Sequence, residues 1–160
     1  MAVETPLDRI DRRILRVLQA EGRISNAALS QRVVLSESAC LARIRRLERS
    51  GVIQGYHARL DPFSIDIGLV LLVEVVLEGR RRDERERFET AIRTLPEVVE
   101  ASHVSGDTDY VLKVVVRTMA EWNGLKDTLA SEFGLARITT HVVMGKPKVF
   151  EGYPVSEGQV

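Results

Sequence analysis

The 160-residue sequence has a single cysteine, Cys40, so it can close no internal disulfide, and a reducing cytoplasm is the expected compartment. Histidine is almost as scarce. His57, His103 and His141 lie far apart and show no metal-ligand spacing, so no metal and no cofactor is expected. A Gly-rich phosphate loop, a G-x-S-x-G elbow and an H-E-x-x-H pair are all missing, which argues against the common enzyme classes. Long hydrophobic runs are missing too. The longest, Ile67 to Leu77, is roughly half a membrane span and carries Glu74 in its middle, so no membrane association is expected. Met1 to Pro6 lacks a basic segment leading into an apolar one, and no signal peptide is expected. Aromatic residues make up only 5%, and lysine is absent from the first 60 residues.

What is present is a chain 44% hydrophobic and 29% charged, enough to bury a core and incompatible with a disordered or collagen-like polymer. The formal net charge is zero, but it is unevenly spread. Residues 1–60 carry 11 arginines against 6 acids, a net +5, and residues 61–160 carry the compensating −5. A basic front and an acidic back suggest two modules, the first suited to phosphates.

The hydrophobic spacing gives each module its class. Asp8 caps a first helix with Ile10, Ile14, Val17 and Leu18 on one face, stopped at Glu21-Gly22. Ser25 caps a second helix, with Ile24 able to staple onto Leu29. Ser36 caps a third, whose buried stripe is Cys40, Ile44 and Leu47. Two short helices joined by a tight turn and braced by a third form a helix-turn-helix. Val52 to Leu60 reads as a short strand. Beyond it the order is strand (67–77), helix (80–95), strands (98–104 and 110–116), helix (119–133) and strand (138–144). That is a ferredoxin-like βαββαβ unit, making the chain α+β. The expected divisions are 1–51, a linker strand at 52–66, the βαββαβ domain at 67–147 and a tail at 148–160.

On the third helix, with Ile44 inward, Ala39, Ala42, Arg46 and Arg49 fall outward, flanked by Ser38, Arg43 and Arg45. Small residues near the helix start and arginines further along suit entry into a major groove of double-stranded DNA. Ser36 and Ser38 can donate to a phosphate there. The same pattern also describes an ordinary solvated helix face. In the second module, Ser105-Gly106-Asp107-Thr108-Asp109 is either a plain β-turn or a loop offering N–H groups to a carboxylate and an aspartate to an ammonium, the two charges of an amino acid. His103, His141 and Tyr110 near these aspartates would be the raw material of a small enzyme.

Taken in order, these segments resemble the Lrp/AsnC transcription regulators, the leucine-responsive or feast/famine family. Leu7-Asp8-Arg9-Ile10-Asp11-Arg12-Arg13-Ile14-Leu15 is similar to the family's L-D-x-x-D-x-x-I-L, and Gly22-Arg23-Ile24-Ser25 to its second-helix entry. Leu35 to Cys40, Arg43 to Glu48 and Gly51-Val52-Ile53 resemble the recognition helix and its exit. Gly55-Tyr56 and Leu60-Asp61-Pro62 resemble the linker, while Pro96-Glu97-Val98 and Gly106-Asp107-Thr108-Asp109-Tyr110 look like the family's P-E-V and G-x-x-D-Y. The resemblance implies a winged-type helix-turn-helix that binds DNA. It also implies an effector domain that dimerises through its sheet, further assembly to a higher oligomer such as an octamer, and an amino-acid effector near the G-x-x-D-Y loop. The face of the third helix makes Ser36, Ser38, Ala42, Arg43, Arg45, Arg46 and Arg49 the candidate DNA contacts, and the likeness adds the effector contacts. Ser105, Gly106, Asp107, Thr108, Asp109 and Thr140 are candidate effector contacts.

The chain departs from the family pattern at Val34, where Gly or Asn is usual, so an αR or slightly opened turn is expected there. Asp66 replaces a frequent Gly, Ile138-Thr139-Thr140 the frequent T-x-T, and Phe133-Gly134 the common P-G. Two other classes are an effector-independent architectural DNA binder and an enzyme on a dimeric ferredoxin-like scaffold.

Overall fold

The computed structural model describes residues 7–79 and 81–156. It divides the chain into two compact units, one of residues 1–59 together with 148–160, the other of residues 60–147. Met1 to Pro6, Arg80, where the fourth helix was expected to begin, and the last four residues of the tail lie outside the described residues.

The first unit is a three-helix bundle: α1 (Arg9–Ala20), α2 (Asn26–Val33) and α3 (Glu37–Arg49). Each begins where a side-chain oxygen satisfies an orphan N–H of the first turn. Asp8 accepts from the Asp11 N–H, Ser25 from that of Ala28 and Ser36 from that of Ala39. The Asp11 side chain in turn accepts from the Asp8 N–H, completing a capping box. Ile14, Leu29, Val33, Cys40 and Leu47 form the core, with Ile24 and Ile44 packed against it. The tail groups with this unit: the Gln19 side-chain amide both donates to the Tyr153 carbonyl (3.0 Å) and accepts from its N–H (2.6 Å).

The strand expected over Val52 to Leu60 is not formed. After a turn through Ile53 the chain runs exposed and without regular structure to Leu60, with no ladder partner among the described residues. An alternating pattern supplies the propensity, but a strand also needs a second strand to pair with.

The second unit opens with a short 3-10 turn (Pro62–Ile65) that ends at Asp66 in the left-handed region (φ +61°). Then follow β1 (Leu69–Leu77), α4 (Arg82–Thr94), β2 (Val98–His103), β3 (Tyr110–Val116), α5 (Met119–Phe133) and β4 (Leu135–Val142). The sheet order is β2-β3-β1-β4, antiparallel throughout, as the ferredoxin-like reading requires. β4 begins three residues earlier than its β-branched run suggests. Gly134 (φ +56°) ends α5 and turns the chain straight into pairing with β1, so that Leu135 meets Leu77. One face of β1 and β3, with Leu71, Val73, Val75, Tyr110, Leu112 and Val114, is sealed by Phe88 and Ile92 of α4 and Trp122 and Leu129 of α5. At the head of β1, Gly68 is required by close approach: a Cβ there would lie 2.2 Å from the Arg117 carbonyl oxygen.

The turn between α2 and α3 is neither αR nor opened. Val34 adopts φ +59°, ψ +56°, and the chain closes a Schellman motif in which the Leu35 N–H reaches the Ser30 carbonyl (2.9 Å). A β-branched residue in this region costs about 1–2 kcal/mol, and Val34 recovers little by burial because it is 78% exposed. Val34→Gly is therefore expected to stabilise the first unit by about 1 kcal/mol, read as a raised melting temperature. A second expectation concerns Tyr110, which is buried and donates to Glu89 (2.9 Å). Burial, reinforced by the Glu89 carboxylate, pushes its hydroxyl from 10.0 up to about 12. A raised folded value gives stability that is complete below pH 10 and is lost as the pH climbs through about 12. Urea unfolding across that window should show this loss in the parent and a flatter profile in Tyr110→Phe.

Candidate functional site

In the first unit, α3 presents two different faces. Cys40 and Leu47, with no solvent exposure, define its inward direction. At 100° per residue the outward stripe is then Ser38, Ala42, Arg45 and Arg49, all exposed. Ser36 sits exposed at the N-cap, its hydroxyl 3.2 Å from that of Ser38. The free N–H groups of the first turn and the positive end of the helix dipole lie beside these two hydroxyls.

Arg43 and Arg46 do not belong to this outward stripe, which corrects the helical-wheel placement of Arg46 opposite Ile44. Both turn toward α1. Arg43 Nη1 donates to Asp8 Oδ2 (2.5 Å) and Asp11 Oδ1 (2.9 Å), and Arg46 Nη2 donates to Asp11 Oδ2. The Asp11 side chain has no solvent exposure. The wheel missed this because Ile44 is only half-buried, so taking it as the centre of the inward face rotates the helix away from its true orientation. For Asp8, burial works to raise the carboxyl pKa. The hydrogen bond from the Asp11 N–H and the Arg43 guanidinium outweigh it and hold the group below its ordinary 3.8. The same carboxylates push the Arg43 pKa up.

In the second unit the β2–β3 loop carries Ser105 to Asp109. Gly106, at φ +114°, makes the reversal that an L side chain would strain. Asp109 anchors the loop to the end of β1: its carboxylate accepts from the Leu77 N–H (2.9 Å) and its own N–H donates to the Val75 carbonyl (3.0 Å). Thr108 donates to Glu74 (3.4 Å), and Arg137 holds the Asp107 carbonyl (3.0 Å). Ser105, Gly106 and Asp109 share a cleft of about 210 Å³ with Leu77, Gly79 and Arg85. Asp107 and Thr108 do not line it. Arg85, on the first turns of α4, is the cation that sequence reasoning missed, because on the chain it reads as one of a run of solvated helix arginines. With Asp109 it gives the cleft, among its described lining residues, one group of each sign.

Thr140 does not line this cleft either. It pairs with Val73 on β1 and accepts from the Trp122 indole N–H (3.1 Å), which fixes it to the helix-covered side of the sheet. His103 stacks on Tyr110 and His141 lies 3.3 Å from Glu74, so the two histidines are parted rather than gathered into one constellation.

Comparison with known proteins gives these two units a context. Residues 7–54 match the model of a winged helix-turn-helix DNA-binding domain, and residues 70–152 match the Lrp/AsnC ligand-binding domain. The chain is 48% identical to the leucine-responsive regulatory protein of Escherichia coli over 89% of its own length and 87% of that protein's. Its structure is similar to that of a transcriptional regulator from Neisseria meningitidis in complex with L-Met (TM-score 0.85, 36% identity, 92% of this chain and 96% of that one). It is also similar to a feast or famine regulatory protein from M. tuberculosis complexed with L-methionine (TM-score 0.82, 30% identity, 92% and 98%). These relatives are named for regulation and not for catalysis. With a DNA-binding module at its front and the family's ligand-binding module behind it, the chain belongs to the Lrp/AsnC family of transcription regulators.

Proposed function

We propose that this regulator reads DNA through the outward stripe of α3 and is modulated by an amino acid held at the Ser105–Asp109 loop. The observation that carries the DNA reading is the separation of two arginine sets on one helix. Arg45 and Arg49 point to solvent on the same stripe as the small Ser38 and Ala42, whereas Arg43 and Arg46 are committed to Asp8 and Asp11. Small side chains let the helix approach base edges, and the arginines beyond them meet phosphates or a guanine edge. Ser36 and Ser38 then donate to a phosphate at the helix start. Arg43 and Arg46 serve by aiming the helix rather than by primary contact.

The effector reading rests on the cleft chemistry together with the family. Arg85 suits a carboxylate, and the Asp109 side suits an ammonium. Two relatives of the same fold were solved with L-methionine. The cleft of one chain is smaller than the roughly 300 Å³ at which ligand pockets begin, which fits a site completed by a second copy. The sheet face turned away from α4 and α5, carrying Leu72, Val76, Val111 and Val115, supplies the surface for a homodimer. Dimers of this kind place two α3 helices on half-sites about one helical turn apart, and assembly of dimers into an octamer would multiply them. An effector shifts DNA binding only by its difference in affinity between two assemblies or arrangements.

Two experiments test these assignments. Replacing Arg45 and Arg49 by Ala should leave the melting temperature unchanged and reduce the slope of log affinity against log salt by about 0.9 for each phosphate no longer neutralised. Arg43→Ala instead leaves the buried Asp11 with one guanidinium partner and should cost about 3 kcal/mol of stability. Parallel loss of stability in both variants would reject the division of roles. For the effector, Arg85→Ala should raise the amino-acid concentration giving half response by about tenfold while basal DNA binding stays intact. An unchanged response to a panel of amino acids would remove the ligand from this cleft.

A further inference from the structure

The DNA-binding unit has a second basic surface, away from α3. Arg9, Arg13 and Arg16 recur on α1 at intervals of four and three residues. At 100° per residue they lie 140–200° from Asp11, the residue that faces α3. Arg32 of α2 joins them, and the four line a cleft of about 740 Å³ in which the described lining residues include no acid. All four arginines are exposed. Arg32 lies 2.9 Å from Glu21, but both partners are half exposed, and such a pair is weak and easily exchanged. The contrast with α3 is chemical: there Asp8 and Asp11 hold the inner arginines, whereas the charged side chains among the described residues of this cleft are all arginines.

We propose that this stripe takes the phosphate backbone of a second segment of duplex DNA, so that one DNA-binding unit bridges two segments. The inference rests on the DNA-binding reading of α3. From Arg9 to Arg16 the helix rises about 10 Å, the axial rise of roughly three nucleotides of one strand. Guanidinium forks on exposed stems suit phosphate oxygens, and the surface offers no small-residue patch for base readout, so binding there is indifferent to sequence. The core of the bundle lies between this stripe and the outward stripe of α3, so a straight duplex seated on α3 cannot also run along α1. The second segment is therefore a different stretch of DNA.

The test uses the full chain. A duplex selected from a random-sequence pool for tight binding is immobilised, protein is bound to it, and capture of a second, labelled random-sequence duplex is measured across salt concentrations. The variant carries Arg9→Gln, Arg13→Gln and Arg32→Gln, and a companion carries Lys at the same three positions. The expected result is an unchanged footprint on the selected duplex and capture of the second duplex reduced at least about tenfold. The salt slope for capture should also fall by about 0.9 for each phosphate left without its arginine. The lysine companion should restore most of the capture. Bridging through the recognition helix of another copy is untouched by these substitutions, so undiminished capture in the Gln variant overturns the proposal. Loss of the selected duplex in step with capture also overturns it, placing the stripe on the same DNA as α3. If the parent holds polyglutamate beads but no second duplex, the stripe belongs to an acidic protein and the proposal fails. Failure of the parent to select any duplex would instead strike at the α3 reading itself.

Discussion

A carboxylate with no solvent exposure sits between two helices of the first unit, and the aim of the recognition helix hangs on it. Moving an ion such as Asp11 out of water costs several kcal/mol, which is recovered only if its oxygens are well paired. Here the Asp8 N–H and the guanidinium groups of Arg43 and Arg46 do the pairing. Apolar contacts among Ile14, Leu29, Cys40 and Leu47 are non-directional and would tolerate small rotations of α3 about its axis. Charge-assisted hydrogen bonds to a fixed point would not. The buried acid thus sets the rotation of α3, and with it which side chains face outward.

That arrangement also changes how the excess of positive charge should be counted. Of the four arginines on α3, two are matched by Asp8 and Asp11, so the outward charge of the helix is smaller than the composition suggests and more sharply placed. The second unit works in the same manner. Asp109 commits one carboxylate oxygen to the Leu77 N–H and its own N–H to the Val75 carbonyl, and these bonds at 2.9–3.0 Å hold the loop in one arrangement.

Local physics made much of this legible in the sequence. The three N-caps at Asp8, Ser25 and Ser36 were readable because a cap depends on residues three apart, and the βαββαβ order followed from changes in hydrophobic period. Features that depend on distant partners were not readable. Asp11 meets Arg43 and Arg46 across 32 and 35 residues, and nothing in the spacing of α3 announces it. Residues 52–60 have strand character, yet among the described residues they have no strand to pair with. Family likeness sets Thr140 near the effector loop, but the register with Val73 and the indole of Trp122 hold it against α5, outside the cleft at that loop. Val34 was expected to avoid the left-handed region on intrinsic cost, and the demands of a tight turn between two packed helices overrode that preference.

Both ends of the described chain belong to the first unit, with the second unit inserted between them. The tail is held there by backbone-like bonds from Gln19 to Tyr153. Two covalent connections therefore join the units where a beads-on-a-string architecture would have one. A single backbone cut at either connection leaves the two units covalently joined, and only cuts at both release one from the other.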